Sequence, residues 1–393
     1  MPLKVCIIGG SAAGASLGLA LAQLNCQVTL IEARAMREST PMGPSDRTLA
    51  LSWASKKYLA QLGVWGPLAA QAQAIKEVQV SIQGQLGVAR LQAEKYAVPA
   101  LGYVLPLEQL EYQLITALKA NSNVQFLSST QLLSGQRQQQ SWQITYATDK
   151  GAAQQLDCDL LVGADGQHSK VRCFNRIPSM VTPYAQYAII GQITSTQALP
   201  QVALERFTQD GALAILPKGG QQYTFIWTVG VACYRAYMNL SDRDFLQSLQ
   251  QQLGYRIGRL QSLQHKIALP LSGVKAQTQI GYHSLLVGNA AHYLHPIAAQ
   301  GLNLTLRDIQ YFSQLYQQRL PTTKQQLQSL LEDYERQRYP DQAILWSVTE
   351  ILAQYISGDK LPGWLKALGI GGLESLPLLK KAFTQYAMGW RGN

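Results

Sequence analysis

The chain of 393 residues carries 33 Lys+Arg against 23 Asp+Glu, a formal charge of +10, with 47% hydrophobic and 14% charged residues. That balance excludes a disordered chain and supplies material for about two or three domains of folded protein. The basic excess is scattered, and no RNP, zinc-finger or basic-zipper signature accompanies it. The anions it favours are therefore phosphorylated cofactors or acidic lipid headgroups, not nucleic acid.

The chain opens with a strand at Lys4–Ile8, a helix of small and apolar residues at Ala12–Leu24, and a strand at Gln27–Ile31 ending on Glu32. The run up to Ala20-Leu21-Ala22 resembles a secretory signal, but Gly9, Gly10, Gly14 and Gly18 punctuate it, and a retained helix is expected. A Pro-, Gly- and Ser-rich loop at Ser39–Ser45 precedes a helix near Ser52–Leu62 with Ser52 as its N-cap, and Leu107–Leu118 reads as a further helix. Val124–Asp157 is hairpin-like, with turn chemistry at Asp149-Lys150-Gly151, and leads into the apolar strand Leu160–Ala164. From about Val181 to Pro270, alternating runs such as Tyr187–Ile193, Ala203–Phe207, Leu213–Leu216 and Tyr223–Val229 predict a sheet with few helices between its strands. Such a stretch reads as a substrate-covering domain inserted into a nucleotide-binding one. Strand, turn and helix return at Ser284–Gln318, and the remainder reads as helical.

Nothing in the chain reaches the ~18 uninterrupted apolar residues of a membrane-spanning helix. Cys6, Cys26, Cys158, Cys173 and Cys233 show no C-x-x-C spacing and are odd in number, which argues for a reducing, cytoplasmic setting.

Three motifs carry chemistry. The first is Gly9-Gly10-Ser11-Ala12-Ala13-Gly14 between strand and helix, with Glu32 closing the next strand. A tight glycine turn turns helix N-terminal N–H groups toward a pyrophosphate, and the distant acid accepts ribose hydroxyls. Ser11 stands where the usual G-x-G-x-x-G pattern has its second glycine. The second motif is Asp165-Gly166, between the strand Leu160–Ala164 and a helix near Ser169–Phe174. The third is Gly288-Asn289-Ala290-Ala291-His292, followed by His295-Pro296 and by Gln300-Gly301-Leu302-Asn303 opening a long helix.

Together these resemble the group A flavin monooxygenases, the para-hydroxybenzoate-hydroxylase-like family. The match extends through Asp46-Arg47-Thr48-Leu49-Ala50-Leu51-Ser52, Leu62-Gly63-Val64-Trp65, Glu205-Arg206-Phe207-Thr208-Gln209-Asp210-Gly211 and Leu216-Pro217, which look like the ubiquinone-biosynthesis hydroxylases. Asn289 after the glycine, where most relatives have Asp, is similar to the UbiH type, the 2-polyprenyl-6-methoxyphenol hydroxylases. The resemblance implies an α/β fold: a Rossmann-like FAD-binding domain over 1–180 and 271–393 with C-terminal helices. An inserted β-sheet substrate domain spans 181–270, with parts of 70–105 contributing.

It further implies FAD, with NAD(P)H as a transient electron donor and O2 adding to the reduced flavin to give a hydroperoxide whose terminal oxygen attacks a prenylated phenol. FAD would be held by Gly9, Gly10, Ser11, Ala13, Gly14, Glu32, Arg47, Gln109, Asp165, Gly166, Gly288, Asn289, Gln300, Gly301, Leu302 and Asn303, with His295 and Pro296 shaping the pocket. Ala299 and Thr305 replace glycines of the family pattern; alanine is tolerated where its φ is negative, so a modest backbone adjustment is expected. Hydroxylation of another ring position or another aromatic, flavin-dependent reduction of a prenyl chain, and a non-catalytic subunit of a ubiquinone-synthesis assembly stay open as alternatives.

Other features carry bland readings beside sharp ones. His292 and His295 at i, i+3 lack carboxylate or cysteine partners, so no metal is expected. Of Tyr187, Phe207, Tyr223, Phe225 and Trp227, most are expected in the core and one or two along the substrate cavity. Leu361–Gly389 mixes apolar and Lys residues; it reads as a packed helix, or as a contact with a membrane surface or with other ubiquinone-synthesis proteins.

Overall fold

In the computed structural model, which describes residues 2–35, 47–148, 151–353, 384 and 388–389, the amino-terminal elements fall where the sequence pattern places them. Strand β1 (Lys4–Ile8) and strand β2 (Gln27–Ile31) pair in parallel, from Lys4↔Gln27 to Ile8↔Ile31. Helix α1 (Ala12–Gln23) connects them, and only Ala13 and Gln23 within it escape burial. Its small residues are the reason: they let it pack at once on the sheet, on the helix Leu107–Lys119 and on the helix Gly301–Arg319.

These two strands sit in a six-stranded sheet whose other members are, on one side, Leu160–Gly163, Ser284–Leu286 and Ile280–Gly281, and on the other Val124–Leu127. All pairings are parallel except the last pair, Ile280–Gly281 with Ser284–Leu286. The near-continuous apolar runs of β1 and Leu160–Gly163 are those of strands buried on both faces. Val124–Leu127 therefore departs from the hairpin-like reading of Val124–Asp157. It pairs in parallel with β2, and the antiparallel sheet begins only at Thr130, with strands Thr130–Arg137, Trp142–Thr148 and Gln154–Cys158. A four-residue apolar strand carries no mark of which partner it will take. Asp149 and Lys150 lie outside the described residues.

An eight-stranded sheet follows, in the order His292–Tyr293, Leu260–Ala276, Ser179–Ser195, Gln222–Gly230, Ala212–Gly219, Val202–Phe207, Glu77–Ile82, Val88–Gln92. Two strands thus come from the 70–105 region. Helices Val231–Asn239 and Asp242–Leu253 cover one face of it. The alternation of Gln222–Gly230 sends Tyr223, Phe225 and Trp227 to that face, where they pack with Phe245, Leu249 and Leu253. A small sheet of β3 (Thr48–Ser52), Gly102–Pro106 and Gln73–Ile75 sits against the opposite face, joined by a Thr48–Thr224 hydroxyl contact of 3.0 Å.

Helix α2 (Trp53–Gln61) starts at Ser52, whose hydroxyl accepts the Ser55 N–H at 3.2 Å, the N-cap expected there. The helix Lys324–Ile351 is closed at its start by a Thr323–Gln326 capping box. Among the described residues no helix is long and apolar enough to cross a membrane. The loop at Ser39–Ser45 and nearly all of Leu361–Gly389 lie outside the described residues. Of the latter, Met388 is buried against Leu91, Ala93 and Leu101, and its carbonyl accepts the Ala54 N–H at 3.1 Å.

Candidate active site

A cavity of about 730 Å³ opens where the carboxyl ends of the parallel strands face the eight-stranded sheet. This is the crevice in which open α/β sheets hold their ligands. Its floor is the glycine turn: Gly9, Ser11, Ala12 and Ala13 line it, while Gly10 and Gly14 do not. Those two shape the turn from behind. Gly9 has φ +104, and a Cβ on Gly14 would lie 1.9 Å from the Gly9 carbonyl oxygen, so no larger residue fits. The Gly10 N–H donates to Glu32 Oε2 at 2.6 Å, tying the turn to the end of β2.

Ser11 has φ −71, which any residue adopts, and its hydroxyl does not cap α1. The first-turn N–H groups of α1 are therefore turned toward the cavity, uncapped by Ser11, and that of Ala12 meets Glu111 Oε1 at 3.3 Å. Glu32 is buried; burial opposes its charge, but hydrogen bonds from Arg34 and the Gly10 N–H prevail and hold it below the ordinary carboxylate range.

All three motifs reach this cavity. Arg47, Asp165, Gly166, Gly288, Asn289, Gly301 and Leu302 line it, as do His295, Pro296, Ala299 and Thr305. Asp165 Oδ2 accepts the Lys170 N–H at 2.7 Å, while its Oδ1 is buried and accepts nothing among the described residues. A positive helix end, a cation and carboxylates with acceptor capacity fit a dinucleotide cofactor, so this arrangement suits FAD.

Besides Gly10 and Gly14, three expected residues do not line the cavity. Gln109 is buried in its helix, which presents Leu107 and Glu111 instead. Gln300 lies behind Ala299 and Gly301. Asn303 is a buried clamp: its Oδ1 accepts from the Ser52 N–H at 2.8 Å and the Ser55 hydroxyl at 2.7 Å. Its Nδ2 donates to the Ala50 and Ala299 carbonyls at 3.0 and 2.9 Å.

Ala299 has φ +49, so the backbone keeps the left-handed conformation of a glycine in place of the negative φ expected for alanine. Asn303 holds its carbonyl there. Thr305 takes its place by donating to the Gly301 carbonyl at 3.0 Å.

The far wall is aliphatic: Ala188, Ile190, Leu216, Ile226, Leu269 and Leu271. None of Tyr187, Phe207, Tyr223, Phe225 and Trp227 lines the cavity, correcting the expectation that one or two of them do. The period of two along Gln222–Gly230 gives the cavity Ile226 and leaves the odd-numbered aromatics to the helices. Phe207 packs with Ile82, Ala212 and Ile297, and Tyr187 stacks on Tyr234.

His295 meets this wall. It is buried, its Nδ1 accepts the Ile297 N–H at 3.3 Å, and Nε2 donates to Gln186 Oε1 at 3.0 Å. Burial pushes its pKa down to about 4, so the ring is neutral.

His292 turns elsewhere. Its Nε2 meets Asp308 Oδ2 at 2.9 Å, and Arg338 donates to Asp308 at 2.6 Å and to Asp341 at 2.5 Å, all buried. Burial opposes the Asp308 charge, but His292 and Arg338 hold its pKa below the ordinary value. The two histidines do not converge, and among the described residues no three His, Cys, Asp or Glu side chains gather as metal ligands. Sequence reading missed this network, because only the i, i+3 pair Arg338–Asp341 is local.

Known proteins agree with this architecture. The structure superposes on p-nitrophenol 4-monooxygenase PnpA of Pseudomonas putida DLL-E4 with a TM-score of 0.78, at 12% identity, covering 100% of this chain and 99% of that one. PqsL of P. aeruginosa gives 0.76 at 20% identity, covering 95% and 100%. In sequence, the chain is 28% identical to "Ubiquinone hydroxylase UbiL" of Rhodospirillum rubrum, over 98% of its own length and 89% of the relative's. It is 27% identical to the 3-demethoxyubiquinol 3-hydroxylase of Escherichia coli, over 99% of each. The family described as "FAD binding domain" matches residues 2–348, and the glycine turn, Asp165-Gly166 and Gly288-Asn289 all fall inside that span: the chain belongs to this FAD-binding family.

Proposed function

We propose that the protein is an FAD-dependent, NAD(P)H-requiring monooxygenase that hydroxylates a prenylated phenol in ubiquinone biosynthesis, of the 2-polyprenyl-6-methoxyphenol type. One observation carries the reading: a single cavity joins a dinucleotide-type glycine turn to a largely aliphatic wall. The names of the relatives, ubiquinone hydroxylases among them, support the same reaction class. When bound, FAD supplies hydride acceptance from NAD(P)H and the activation of O2.

The chain's residues bind, orient and exclude water. Gly9, Ser11, Ala13 and Glu32 hold the ADP half, on a turn that Gly10 and Gly14 shape, and Arg47, Asp165, Gly166, Gly288, Asn289, Gly301 and Leu302 hold the remainder. Neutral His295, with Pro296, borders the ring-binding space opposite Ile190 and Leu216. The division of labour places cofactor binding on 1–180 and 271–393, and substrate binding on 181–270 with strands Glu77–Ile82 and Val88–Gln92. A prenylated substrate partitions into the bilayer, so the enzyme collects it at the cytoplasmic membrane face.

The test is NAD(P)H oxidation by the yellow holoprotein with and without a prenylphenol. Stimulated, stoichiometric O2 uptake and a hydroxylated product are expected. Oxidation of NAD(P)H with a reduced prenyl chain and no O2 uptake would identify a reductase instead.

A further inference from the structure

The cavity holds a carboxyl group of the protein's own at the N-terminus of α1. Glu111, on the second turn of the helix Leu107–Lys119, lines the cavity beside Ser11, Ala12 and Ala13. One of its oxygens, Oε1, accepts the Ala12 N–H at 3.3 Å and lies 3.9 Å from the Arg34 guanidinium. Ala12 is the first residue of α1, so this N–H belongs to the unsatisfied first turn at the positive end of the helix dipole. The groups that attract Glu111 are those a cofactor diphosphate would use. Sequence reading passed it over, since a carboxylate is an unlooked-for residue at a phosphate site.

We infer that Glu111 is a built-in competitor of the FAD diphosphate: it occupies the N-terminus of α1 and the Arg34 guanidinium in the free protein and loses its charge when the cofactor enters. This rests on the FAD reading above and concerns how tightly the flavin is held. Two anions at one partly desolvated helix end repel each other, and the cheaper resolution is to protonate the carboxyl. The charges that face Glu111 are Arg34 beyond β2, Glu32 at the end of β2 and Arg47 ahead of β3. Burial raises its pKa and Glu32 adds to this, while Arg34, the Ala12 N–H and Arg47 act against it; the net direction is upward.

The sign of the linkage follows. Binding that takes up a proton is strongest where free Glu111 is already protonated, and weakens as pH rises through its raised pKa.

Apoprotein of the full chain and its Glu111→Gln variant are titrated with FAD from pH 5 to pH 8, reading flavin fluorescence. The wild-type Kd is expected to weaken about tenfold or more over that range, the equivalent of at least one pKa unit of coupling. Glu111→Gln is expected to bind at pH 8 as tightly as the wild type does at pH 5, with little pH dependence. Glu111→Ala guards against an effect special to the amide and should behave alike. ADP, which has the diphosphate without the flavin, should show the same pattern in thermal shifts. Weaker FAD binding by both variants overturns the inference, because the carboxylate would then be a cofactor ligand. Equal, parallel curves for variant and wild type overturn it alone. No FAD uptake by any of the proteins overturns it together with the flavin reading on which it rests.

Discussion

Gly14 illustrates how completely one position can be dictated by its neighbour. A Cβ there would sit 1.9 Å from the Gly9 carbonyl oxygen, against backbone that cannot move without opening the turn. Gly14→Val is expected to purify without flavin absorbance while keeping its far-UV circular dichroism; retained flavin would remove the turn from the site. Ala299 is the converse case, a side chain in a glycine's conformation at φ +49. Ala299→Gly should relieve about 1 kcal/mol of strain, read as a higher urea midpoint.

His295 is a third residue whose environment sets its behaviour. Burial lowers its pKa from 6.5 to about 4, so the unfolded chain binds a proton between these values that the folded one refuses. Its contribution is present above pH 6.5 and is lost as pH falls toward 4, amounting to about 2 kcal/mol between pH 7 and pH 5. Urea unfolding of wild type and His295→Asn at those two pH values checks this; the wild type should lose more stability than the variant.

Between elements, the decisive device is a clamp that sequence reading takes for a cofactor ligand. Asn303 ties helix Gly301–Arg319 to β3, to the start of α2 and to the Ala299 turn through four hydrogen bonds. Asn303→Ala leaves buried donors and acceptors unmatched, and is expected to cost about 2–4 kcal/mol in denaturant unfolding. The motif Gln300-Gly301-Leu302-Asn303 was legible as a helix start near the cofactor. Which of its residues face the cavity was not, because that depends on how the helix is rotated against β3. The aromatics of Gln222–Gly230 teach a similar lesson. Alternation shows that successive residues face opposite ways, but both faces of this strand are covered, and composition cannot tell which cover is protein and which is cavity.

Across the molecule, function depends on the meeting of two sheets that are distant in sequence. The parallel sheet brings Gly9, Ile31 and Ala164 to one edge, and the eight-stranded sheet closes over them with Ile190, Leu216 and Ile226. A charge placed on that far wall should separate the two roles. Ile190→Asp is expected to retain FAD while losing at least about tenfold in prenylphenol-stimulated NAD(P)H oxidation, since an unpaired buried carboxylate opposes an apolar ligand by more than 1.4 kcal/mol. Equal loss of flavin would show that the wall supports the cofactor as well.

The class of fold, the cofactor and the three motifs were available from sequence, because strand–glycine turn–helix and its distant acid are local patterns that physics ties to phosphate binding. Glu111, the Asn303 clamp and the His292–Asp308–Arg338 network were decided only by tertiary structure. Each depends on side chains brought together from separate elements, and a one-dimensional pattern holds no record of that approach.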